Sequence, residues 1–110
     1  MSLTLRTTLG CTEAVIDDDG NLKRFYQIAD ILTDDLKVNF SHKEDDFDAI
    51  SWEFSLGHHQ LTLQYSIYNG ISVFPTKTKD ARRRDNKAVI ELANVLEGKL
   101  MNIDLRKHIA

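Results

Sequence analysis

Three consecutive stretches of this chain alternate apolar and polar residues. They are Ile50, Trp52, Phe54 and Leu56; then Leu61, Leu63, Tyr65 and Ile67; then Ile71 and Val73, with Pro75 closing the third. Gly57-His58-His59-Gln60 and Tyr68-Asn69-Gly70 separate them. Successive side chains of an extended strand point to opposite sides, so the pattern predicts an antiparallel sheet with one apolar and one polar face. A slip of one residue would carry every side chain to the wrong face. A two-residue turn at Asn69-Gly70 would put Ile71 and Val73 in water. A three-residue loop with left-handed Gly70 keeps them inside, and burial of each is worth about 1.5–3 kcal/mol. The expected pairs are therefore Ile67 with Ile71, Tyr65 with Val73, Phe54 with Leu63 and Trp52 with Tyr65. The expected outer face carries Ser51, Glu53, Ser55, Thr62, Gln64, Ser66, Ser72 and Phe74.

The flanking segments add helices. Leu22, Phe25, Ile28, Ala29, Leu32 and Leu36 recur at helical spacing, and Asp19 or Asn21 is placed to cap the first turn. A helix is predicted from about Asn21 to Thr33. Ala88, Val89, Leu92, Val95 and Leu96 predict a second, from about Asp85 to Glu97, with Gly98 as its left-handed terminator. Thr4 to Thr8 reads as a strand broken by Gly10, with Ala14 to Ile16 as a short second piece. Leu36, Val38 and Phe40 read as a strand ended by a charged loop from His42 to Asp48. Residues 99–110 fit a strand, a helix or a tail. The fold class expected is α+β, with an antiparallel meander of four to five strands and two helices on one face, in the order β-α-β-β-β-β-α. A length of 110 residues and a single proline suit one domain over residues 1–110.

Composition narrows the chemistry. No apolar run approaches the roughly 18 residues that cross a bilayer, so no membrane association is expected. Cys11 is the single cysteine, which excludes an internal disulfide and suits a reducing, cytoplasmic setting. Cys11 reads as a packed thiol and not as a nucleophile, since no histidine lies near it in sequence. His58 and His59 read as a solvated turn, because a metal site needs three or four ligands in defined geometry. Asp17-Asp18-Asp19-Gly20-Asn21 lacks the spacing of a calcium loop. The chain has no phosphate loop, nucleophile elbow or zinc-protease motif. Trp52 and Tyr65 read as core. No cofactor and no metal are expected.

Two charged stretches remain as candidate sites. Glu44, Asp45, Asp46 and Asp48 surround Phe47, a set suited to a basic protein partner, with the acids steering approach and the aromatic anchoring it. Lys79, Arg82, Arg83, Arg84 and Lys87 form a basic run at the start of the second helix, where phosphate is a plausible ligand. Asp80 and Asp85 interrupt that run, and few aromatics accompany it. With a net charge of −3, nucleic acid is the weaker expectation. The function expected is a small non-catalytic protein-binding domain, of a size and charge that suit an inhibitor or immunity-type protein. The alternative is a binder of a phosphorylated ligand or nucleic acid. The weakly charged outer face also admits a homodimer.

Overall fold

The computed structural model describes residues 3–8, 10–46, 48–76 and 83–109. The chain forms strands β1 (Thr4–Thr8) and β2 (Cys11–Asp17), helix α1 (Leu22–Asp34), strands β3 (Phe40–Asp45), β4 (Ala49–Leu56), β5 (His59–Ser66) and β6 (Gly70–Pro75), and helix α2 (Arg83–Ile109). The strands make one six-stranded sheet in the order β1-β2-β6-β5-β4-β3, every neighbouring pair antiparallel. The class is α+β, as the alternation predicts. The sixth strand comes from the N-terminal segment: Gly10 (φ +79) turns the chain into a β1–β2 hairpin. β2 is a full inner strand whose Thr12, Ala14, Val15, Ile16 and Asp17 are buried, not a short piece.

Both helices contribute to a single core on one face of the sheet. Phe25, Ile28, Ala29 and Leu32 of α1, and Val89, Leu92, Leu96 and Leu100 of α2, pack with Ala14, Phe54, Leu61, Leu63, Ile71 and Val73. Asn21 caps α1 by accepting the Arg24 N–H at 3.0 Å. At its other end Lys37 takes φ +58, and the Val38 N–H returns to the Leu32 carbonyl at 3.0 Å. That left-handed residue breaks the expected Leu36–Phe40 strand. Val38 instead buries beneath the helix end, and β3 begins only at Phe40. The segment expected as a charged loop is therefore mostly an edge strand.

The faces follow the alternation, but the register differs by two residues in both hairpins. Observed pairs are Phe54 with Leu61, Trp52 with Leu63, Tyr65 with Ile71 and Leu63 with Val73. The β4–β5 hairpin closes on the two residues Gly57 (φ +63) and His58, which adds the pairs Leu56–His59 and Ser55–Gln60. The β5–β6 loop does have three residues, but they are Ile67, Tyr68 and Asn69, closed by Ser66 opposite Gly70. Gly70 is left-handed as expected (φ +75), and a Cβ there would collide with the Asp17 carbonyl. Close passage under the β2–α1 turn thus places Gly70 in the ladder and pushes Ile67, 58% exposed, out of the core.

Helix α2 runs straight through Gly98, which does not terminate it. A glycine inside a helix costs about 1 kcal/mol relative to alanine. Beyond it, buried Leu100 and half-buried Ile103 pack on the core, and Lys99 and Asp104 pair with Asp35 (3.1 Å) and Arg24 (2.9 Å) of the α1 region. These contacts offset the cost and make residues 99–109 helical.

Candidate interaction surface

The edge strand β3 carries the first charged stretch. A bulge between Phe40 and His42 resets its register, after which His42 faces Glu53, Lys43 faces Trp52, Glu44 faces Ser51 and Asp45 faces Ile50. Glu44, Asp45 and Asp46 are exposed. The Asp46 N–H donates to the Ala49 carbonyl at 2.7 Å, closing the β3–β4 turn. Asp48 is half-buried, and its carbonyl accepts the Ile67 N–H at 3.2 Å. The structure thus brings Glu44, Asp45 and Asp46 to one corner of the sheet and turns Asp48 toward the β5–β6 loop. Phe47 lies outside the described residues.

An aromatic group that sequence spacing does not predict stands behind these acids. The Trp52 ring lies 5.0 Å from Phe25, 5.1 Å from Phe40 and 5.9 Å from Tyr26, centroid to centroid. The first two contacts are edge-to-face, the arrangement that ring quadrupoles favour. Trp52 packs against the core but is only half-buried, and Tyr26 is 48% exposed. The Lys43 ammonium sits 4.2 Å from the Trp52 centroid, a cation–π contact, and the indole N–H donates to Asp45 Oδ1 at 3.4 Å. Trp52 is therefore the side chain that joins the core to the acidic edge. Its place follows from β3 pairing and from the α1 face that Phe25 and Tyr26 share, neither of which is local in sequence.

Electrostatics at the edge act on one histidine. The hydrogen bond between His42 Nε2 and Glu44 Oε1, at 3.1 Å, raises the His42 pKa above its ordinary 6.5, with further upward pushes from the charges of Glu53 and Glu44. Both side chains are exposed. Cys11 is half-buried on the outer sheet face; burial, then the charge of Glu13, pushes its thiol pKa up. A raised pKa leaves less of the nucleophilic thiolate.

The second charged stretch is only partly placed. Arg83, Arg84 and Lys87 are exposed on the first turns of α2, and Lys87 stands 4.0 Å from Glu91. Lys79 and Arg82 lie outside the described residues. Asp85 turns inward: its Oδ1 meets His59 Nδ1 at 2.8 Å. His59 thus departs from the solvated turn expected of it and ties the β4–β5 hairpin to the start of α2, while His58 stays exposed. A His–carboxylate pair is the orienting half of a nucleophilic triad; among the described residues Asp85 is the hydrogen-bond partner recorded for His59. Among the same residues, no three His, Cys, Asp or Glu side chains gather as a metal-holding group.

One further polar knot lies at the β2–α1 junction. Arg24 reaches Asp17 at 3.6 Å and Asp104 at 2.9 and 3.3 Å, beside an open hollow of about 310 Å³ lined by Asp17, Asp19, Asn21, Lys23 and Gln27. Two carboxylates pair with the guanidinium through Nη2 and Nε, while its buried Nη1 has no hydrogen-bond partner among the described residues; the two acids and two cations of the lining balance, so the hollow favours no anion. No helix among the described residues is long and apolar enough to cross a membrane. Compared with protein-family models, curated proteins and solved structures, the chain matches none of them.

Proposed function

We propose that this chain is a non-catalytic protein-binding domain that meets a basic partner at the β3–β4 corner. The supporting observation is that exposed Glu44, Asp45 and Asp46 share one sheet edge with the half-buried Trp52 and the exposed Tyr26. Acids on such an edge accelerate and orient the approach of a cationic surface, and flanking aromatics supply anchoring area. Charges along an edge strand also discourage indiscriminate pairing with other strands, so specificity falls to side chains. A reducing, cytoplasmic setting suits the single thiol, and no cofactor enters this reading.

Affinity capture with the wild-type chain and with the Glu44→Lys, Asp45→Lys, Asp46→Lys chain tests it. A basic protein retained by wild type at low salt, weakened by added salt and lost on charge reversal is the expected outcome. Equal recovery by both chains, or no specific protein at either salt, counts against it. The second reading, a phosphorylated ligand or nucleic acid at the start of α2, draws on exposed Arg83, Arg84 and Lys87. Fluorescence anisotropy with single- and double-stranded probes at low salt decides it: binding there should weaken in the Arg83→Ala, Arg84→Ala chain, and a flat titration sinks it.

A further inference from the structure

We infer that the outer face of the sheet, opposite the helices, is a self-complementary interface between two copies of this chain. The first observation is a gap in the charge pattern. Charged residues make up 28% of the chain, yet residues 54–76 contain no Asp, Glu, Lys or Arg. This stretch supplies β5 and β6, the two middle strands of the sheet. Outward positions on a solvated antiparallel sheet ordinarily carry polar and charged side chains. Here the central outward positions are Thr62, Gln64, Ser72 and Phe74, and charges such as Arg6, Glu13, Glu53 and Glu44 are confined to the flanking strands. An uncharged centre with a charged rim is the anatomy of a protein interface. Phe74, half-buried, stands outside the helix-side core cluster.

The second observation is the shape of the face. One row across the sheet is Thr4, Val15, Ser72, Gln64, Ser51 and Glu44. It is low at its middle, where Val15 and Ser72 are buried. The adjacent row runs from Arg6 and Glu13 to Phe74, Thr62, Glu53 and His42; Thr62 is buried there too, while the larger Glu13, Phe74 and Glu53 are only half-buried. A two-fold axis lying in the interface, across the strands and between these rows, sets each row on the other row of the second copy. Phe74 then enters the space over Ser72 of the second copy, Glu13 lies over Val15, and His42 meets Glu44. An axis along the strands would instead set Glu13 over Glu53 of the second copy, opposing like charges, so the charge pattern selects the first arrangement. Six strands at about 4.8 Å spacing and about 20 Å of strand length give roughly 600 Å² per copy, at the lower limit of the area of a specific interface.

This interface centres on β5 and β6 and shares only Glu44, at its rim, with the acidic corner, so its failure leaves Asp45, Asp46, Trp52 and Tyr26 of the proposed partner surface untouched. Sedimentation equilibrium on the full chain tests it. Wild type is expected at twice the 12.6 kDa chain mass. Phe74→Lys and Gln64→Lys each place a charge at the centre and should raise the dimer dissociation constant by about 100-fold or more, with circular dichroism unchanged. Gln64→Lys removes no apolar side chain and stands in if Phe74→Lys fails to fold. Leu5→Lys, on the β1 edge, should leave the mass unchanged. A wild-type monomer mass at concentrations up to about 1 mM overturns the inference. So does a dimer that survives both central lysines or is broken only by Leu5→Lys.

Discussion

Single backbone and side-chain choices set the limits of what alternation can predict. Gly70 takes the left-handed φ the sequence implies, yet the reason it must be glycine is the Asp17 carbonyl beside it, far away in the chain. Lys37 takes the same region with no glycine to announce it, so the end of α1 and the delayed start of β3 are invisible in the residue types alone. At His42 the local chemistry makes a prediction. Its pKa is raised by the hydrogen bond with Glu44, so the protonated form favours the folded edge. That contribution is fully present below pH 6.5 and is lost as pH rises through the folded-state pKa. Proton NMR titration should give a His42 midpoint above 6.5, and Glu44→Gln should move it back toward that value. A midpoint indifferent to the substitution would show that the pair does not persist in solution.

At the scale of elements, strand and helix identities were largely legible, because periods of two and about 3.6 residues rarely coexist. What escaped was how elements end and attach. Gly98 carries a stop signal that Leu100, Ile103 and two ion pairs override, and β2 is fixed as an inner strand only by pairing with β6. Asn86 is the clearest attachment. Thr12 lies beyond the last β2–β6 pair, and its N–H donates to Asn86 Oδ1 at 2.9 Å, while Asn86 Nδ2 donates to the Gly10 carbonyl at 2.6 Å. One side chain thus ties the β1–β2 hairpin to α2. Asn86→Ala should cost about 1–3 kcal/mol in urea unfolding and speed hydrogen exchange at the Thr12 amide. Unchanged stability and exchange would mean that water replaces the side chain at no cost.

For the whole molecule, the Arg24 knot joins the β2–α1 turn to the far end of α2. Arg24 is 18% exposed between Asp17, at 12%, and Asp104, at 37%, so its removal strands a largely desolvated carboxylate at Asp17. Arg24→Ala should lower unfolding stability by about 2 kcal/mol, discounted for the solvent that reaches Asp104, and Arg24→Met by less because its stem still packs. Equal losses in the two variants would assign the whole effect to the lost ion pairs and none to the stem. The candidate surfaces divide in the same way between local and global information. The acids from Glu44 to Asp46 are plain in the sequence, but Trp52 and Tyr26 join them, and Lys43 reaches Trp52, only through β3 pairing and α1 docking. Alternation determined by itself the α+β class and, Ile67 apart, which strand side chains face the helices and which face outward, because a strand's two faces are a property of its own covalent geometry. Tertiary structure decided the two-residue register in both hairpins, the sixth strand, the helical end of α2 and the rows on the outer face. Each depends on contacts between residues distant in sequence, and a shift of two residues preserves every face, so the hydrophobic pattern cannot detect it.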